Sequence, residues 1–118
     1  MSVARRISKD SSLTETQLES LLLYQRVRSG EISLREAAGS RSRGPVSVGA
    51  YYRVVKQAKE NVRSSILTLV TALWLGYVRV EDVRRLFELV GRGEVELSDE
   101  EADQFVGVLN ALVDRMVV

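Results

Sequence analysis

A chain of 118 residues, 45% hydrophobic and 28% charged, has the size of one domain and the make-up of a folded protein rather than a disordered one. It contains no cysteine and no histidine. That removes disulfides, thiolate nucleophiles, histidine bases and the common zinc ligand sets, and makes an enzyme the least favoured reading. The net charge of +1 conceals an uneven distribution: residues 1–63 carry 12 basic and 6 acidic side chains, net +6, and residues 64–118 carry 5 and 10, net −5. This is the pattern of a polyanion-binding half joined to something else.

Met1–Asp10 has charges but no apolar segment of signal-peptide length. The longest apolar run, Ile66–Leu75, contains Thr68 and Thr71 and falls short of the roughly 18 apolar residues of a membrane span. A cytoplasmic protein without a membrane partner is the expectation. Residues 1–12 read as a flexible basic arm, with Arg5, Arg6 and Lys9 able to lie along a polyanion.

The first predicted helix covers about 13–29. Ser12 with Glu15 and Thr14 with Gln17 both have capping-box spacing, Leu18, Leu21, Leu22 and Val27 recur helically, and Gly30 suits a left-handed cap. Ser33 and Glu36 open a short second helix through Ala37 and Ala38, which meets the turn formers of Gly39–Pro45. From a cap at Ser47, apolar residues at Val48, Tyr51, Val55, Ala58, Val62, Ile66, Leu69 and Leu73 predict a long third helix to about Leu75, ended by Gly76. Its continuity at Asn61 is left open. Because Ile66–Leu75 is apolar around nearly its whole circumference, burial on most sides is expected there.

A fourth helix over about Val80–Val90 aligns Val83, Leu86, Phe87 and Val90 and stops at Gly91-Arg92-Gly93. A fifth starts at the Ser98/Glu101 capping box and carries Phe105, Val108, Leu109, Leu112, Val113 and Met116. Only Val78–Val80 and Glu94–Leu97 have strand character. The acidic cluster Asp99–Asp103 is explained by first-turn capping, and no metal or other cofactor is expected. The expected fold is all-α with about five helices. Residues 13–63 form the polyanion-binding part, and 64–118 form a packing or dimerisation part of the same domain.

The run Ser33-Leu34-Arg35-Glu36-Ala37-Ala38, followed by Val46-Ser47-Val48-Gly49-Ala50-Tyr51-Tyr52-Arg53 and Val54-Val55-Lys56-Gln57-Ala58, resembles the helix-turn-helix of many transcription regulators and of the sigma-factor region that reads promoter DNA. The resemblance covers about residues 30–58. It implies that Ala38 lets two helices pack closely, that Ser47 caps a recognition helix, and that the exposed positions after it face base edges in the major groove. Ala38–Val46 is some three residues longer than the usual turn, so Gly39–Pro45 forms an enlarged, arginine-bearing loop.

On this reading Ser47, Gly49, Ala50, Arg53 and Gln57 are the candidate base contacts, since Arg53 and Gln57 can reach guanine and adenine edges and Gly49 and Ala50 permit close approach. Arg41, Arg43, Tyr52, Lys56, Lys59 and Arg63 are the candidate phosphate contacts. Tyr51, which points away from Tyr52, is assigned to the core, and Trp74 to packing. Ile66, Leu69, Leu73, Trp74, Leu109 and Leu112 are the candidate homodimer surface, with completion of a monomeric core as the equal alternative. The leading expectation is a non-catalytic, sequence-specific regulator of transcription bound to double-stranded DNA. The competing one is a helical interaction module or complex subunit, and RNA binding is a weaker third for want of exposed aromatics.

Overall fold

Among the described residues, 3–92 and 97–118, the computed structural model contains six helices and no strand, which is the all-α class expected. They are α1 (Val3–Ser8), α2 (Glu15–Arg28), α3 (Leu34–Gly39), α4 (Val48–Leu75), α5 (Val80–Arg92) and α6 (Asp99–Met116). No helix among them is long and apolar enough to cross a membrane. Residues 94–96 of the segment with strand character, and the glycine at 93 of the predicted stop after the fourth helix, lie outside the described residues. Val78–Val80 is not a strand: Val78 is buried in a turn and Val80 opens α5.

The helix ends follow local chemistry. Thr14, Ser33 and Ser98 each form a reciprocal capping box with the residue three positions on, satisfying two amides that the helix itself leaves unpaired. The competing Ser12/Glu15 spacing is not used, because Ser12 Oγ turns to Asn61 Oδ1 at 2.8 Å. Gly30 ends α2 at φ +79°, with Glu31 N donating to Arg26 O at 2.9 Å. Gly76 ends α4 in the same manner at φ +82°, with Tyr77 N donating to Ala72 O at 2.9 Å.

The N-terminal segment corrects the expectation of a flexible arm, since Val3–Ser8 is helical. The Arg6 side chain, 15% exposed, reaches the Asp99 carboxylate at 3.3 Å and also pairs with Asp103. The anionic first turn of α6 thus supplies the partner that a short basic segment lacks by itself.

The chain divides into two compact units, Ser8–Ser65 and Ile66–Val118, the latter joined by the N-terminal residues through Ile7. In the first, Leu23, Ala37, Ala38, Tyr51 and Val55 form the core, with Tyr24, Val27, Ile32, Leu34 and Val46 packed against it. In the second, Val78, Val83 and Met116 are surrounded by Leu69, Ala72, Leu73, Leu86 and Leu112. Ala102 and Leu109 are buried as well.

The stretch Ile66–Leu75 is not buried on most sides. Leu69, Ala72 and Leu73 meet the core, but Ile66, Leu67, Val70, Trp74 and Leu75 are exposed, Trp74 to 89%. Trp74 therefore is not a packing residue of its own chain. The neighbours of α4 in this unit reach only one side of it, which leaves the other side of an apolar helix uncovered.

Candidate nucleic-acid interface

The unit Ser8–Ser65 packs α2, α3 and the first part of α4 around two small side chains. Ala37 and Ala38 are almost wholly buried, which permits the close approach of α3 to its neighbours. Tyr51 enters from α4, and its hydroxyl donates to the Ser20 carbonyl of α2 at 2.8 Å. Burial of the Tyr51 phenol raises its pKa above the usual tyrosine value, and proximity to Tyr24 adds to the rise.

The enlarged loop between α3 and α4 is tied at three points. Ser42 N donates to Glu19 Oε1 at 3.0 Å, Gly44 N to Arg41 O at 3.1 Å, and Val46 N to Ala38 O at 3.1 Å. Gly44, at φ +114°, adopts a conformation that a side chain would strain. Ser47 then caps α4, its hydroxyl accepting from Ala50 N at 3.1 Å while its carbonyl accepts from Tyr51 N at 2.9 Å.

With the core side of α4 centred on Tyr51, Val55 and Ala58, the outward side centres on Gly49, Arg53, Lys56 and Glu60. Ser47, Gly49, Arg53 and Gln57 are exposed, and a Cβ at Gly49 would meet nothing within 4 Å. Ala50 is half-buried behind the cap. Val48 and Val62, expected on the core face, are exposed at its edge.

The candidate phosphate contacts separate into two sets. Arg43, Lys56, Lys59 and Arg63 have exposed side chains, Arg63 lying 3.4 Å from Glu60. Arg41 is half-buried, with its Nε enclosed. Tyr52 is also half-buried, stacked on Tyr24 with ring centroids 6.2 Å apart. Lys59 Nζ lies 4.5 Å over the Tyr24 ring and Lys56 Nζ lies 5.9 Å over Tyr52. Tyr24, on α2, is not among the candidate contacts named from the sequence. The stack of Tyr24 on Tyr52, and the lysine over each ring, bring together α2 and α4 residues 28 and 35 positions apart, which no local spacing signals.

Among the candidate dimer residues, Leu109 is buried and Leu69, Leu73 and Leu112 pack into the core of their own unit, whereas Ile66 and Trp74 face outward. No family model, curated protein or solved structure matches this chain. The chemistry of the interface therefore rests on its own residues. From Ser40 to Ser65 there are six basic side chains and one acidic one, Glu60.

α4 is unbroken at Asn61, whose side-chain amide donates to Ser12 O at 2.8 Å and Gln17 Oε1 at 2.9 Å. Spending its donors on the segment entering α2, Asn61 does not compete with its own helix.

Proposed function

We propose that this chain is a non-catalytic regulator of transcription that binds double-stranded DNA, with the start of α4 in the major groove. The observation that supports this most is the exposed face of α4 and its preceding loop. Arg53 and Gln57 stand outward beside the bare backbone of Gly49, flanked by Arg43, Lys56, Lys59 and Arg63. Long side chains with paired donors suit base edges, and the surrounding cations suit phosphates.

Arg53 and Gln57 are assigned to bases, Ser47 and its neighbouring amides to a phosphate at the helix N-terminus, and the cations to the flanking backbone. Ala50 and Arg41, being half-buried, are demoted to supporting positions. Two half-sites read by a pair of chains complete the reading.

Fluorescence anisotropy of labelled duplex DNA, with single-stranded RNA in parallel, tests it. Salt-sensitive binding to duplex is expected. Arg53→Ala should relax discrimination at one base pair by about 1–3 kcal/mol, while Lys56→Ala should weaken all sequences alike. Absence of duplex binding at low salt, or indifference to both substitutions, overturns the assignment in favour of a protein-interaction module.

A further inference from the structure

The large apolar side chains left exposed by this fold are concentrated in one unit. Of the fifteen among the described residues, thirteen belong to Ile66–Val118, and Val48 and Val62 lie outside it. The most ordered set is on α4. Leu67, Val70 and Trp74 fall three and four apart on the side away from Leu69, Ala72 and Leu73, and Ile66, also exposed, lies at the boundary beside Leu73. Trp74, the sole tryptophan, is 89% exposed.

We propose that this seam is the surface on which a second copy of the chain docks, two α4 segments packing Ile66, Leu67, Val70 and Trp74 against their symmetry mates. The proposal deepens the DNA-binding reading by naming the surface that pairs two readers, and it rests on that reading only for the purpose of the pair.

Area argues for a partner of this kind. The four side chains present on the order of 500 Å² of apolar surface, with Trp74 alone near 200 Å². A standard interface takes about 800 Å² from each partner, so the seam supplies an apolar centre and leaves the remainder to a polar rim. Charge at the seam permits self-pairing. Residues 64–78 contain no charged side chain, so an isologous contact brings no like charges together at its centre. An anionic lipid surface is disfavoured by the same count, because residues 64–118 are net −5. The register of Leu67, Val70 and Trp74, three and then four apart, is that of a helix-pair seam.

Sedimentation equilibrium of the full chain without DNA tests the pairing separately from DNA binding. A mass twice 13.2 kDa is expected, with the Trp74 emission shifting to longer wavelength as dilution releases the monomer. Val70→Glu and Trp74→Glu should each raise the dimer dissociation constant at least ~30-fold. Since both positions are exposed within the chain, the far-ultraviolet circular dichroism should not change. Phe87→Glu, on the exposed side of α5, should leave the dimer intact.

A chain that stays monomeric up to ~100 μM overturns the proposal. So does a dimer that survives both seam substitutions, or one broken by Phe87→Glu instead. A monomer whose Trp74 emission moves only on adding phosphatidylcholine vesicles would assign the seam to lipid and likewise overturn it. Dimerisation without DNA affinity would leave the pairing standing and sink the DNA reading, and DNA binding by a monomer would do the reverse.

Discussion

Tyr51 concentrates the forces that hold the first unit together. Its ring is wholly buried against Leu23, Ala37, Ala38 and Val55, and its hydroxyl reaches a backbone carbonyl of α2. Tyr51→Phe keeps the ring and removes one buried hydrogen bond, so urea denaturation should show a loss of about 1 kcal/mol. The raised pKa carries its own signature. A phenol that resists ionisation in the folded state contributes stability that is fully present below the unfolded value near 10 and is lost as pH rises through the folded value. Stability of the parent should therefore fall on the alkaline side of about pH 10, and the Phe variant should lose part of that dependence. Equal alkaline slopes in the two proteins would remove Tyr51 from the account.

Glu101 shifts the other way. Its carboxylate, held by the Ser98 side chain and amide at the start of α6, has a lowered pKa, so its contribution is present above the unfolded carboxylate range and is lost as pH falls through the folded value. Both residues illustrate how far one sequence can be read at this scale. The Ser98/Glu101 pair is local and visible in the spacing. The placement of Tyr51 in the core was visible in the helical pattern, but its bond to Ser20, 31 positions away, was not. The assignment of Trp74 to packing fails for a related reason, because an apolar residue on an apolar helix says nothing of whether anything covers it, and its exposure leaves its place among the candidate dimer residues open.

At the scale of the elements, α3 depends most on its ends. It has only six residues, too few to be stable without its cap and its contacts, and the Ser33/Glu36 box satisfies two of its amides. Ser33→Ala should destabilise the fold by about 1 kcal/mol. Hydrogen exchange should register the loss first at the amides of Ala37 and Ala38, ahead of those in α6. Uniform acceleration along the chain would mean that α3 does not open by itself. The capping boxes and the stops at Gly30 and Gly76 were written locally, whereas α5 runs on through Gly91 and Arg92 and the continuity of α4 past Asn61 was left open by the sequence. The ties of the enlarged loop were not written locally, because Glu19 meets Ser42 only once α2 and the loop are folded together. The N-terminal segment was read as an arm because the acids that hold Arg6 lie more than ninety positions away.

At the scale of the molecule, charge is partitioned along the chain in a way that salt titration can read. Four exposed cations, Arg43, Lys56, Lys59 and Arg63, are assigned to phosphates, so the logarithm of DNA affinity should fall against the logarithm of salt with a slope of about −4 per chain. A dimer engaging two half-sites should show about twice that. Without histidine, no side chain of ordinary pKa titrates between about pH 6 and 9, and DNA affinity should be nearly flat across that range. A slope near −1, or a marked pH dependence, would locate the binding elsewhere.

The all-helical class, the capped helix starts and the basic character of one half follow from periodicity, capping residues and charge order, which are properties of neighbours along the chain. Which sides of those helices are covered is a property of partners distant in sequence. Only the folded chain could place Lys59 over Tyr24, withdraw Leu69, Leu73, Leu109 and Leu112 into an interior, and leave Ile66, Val70 and Trp74 facing outward. Periodicity places a side chain on a helix face, but burial depends on what is packed against that face.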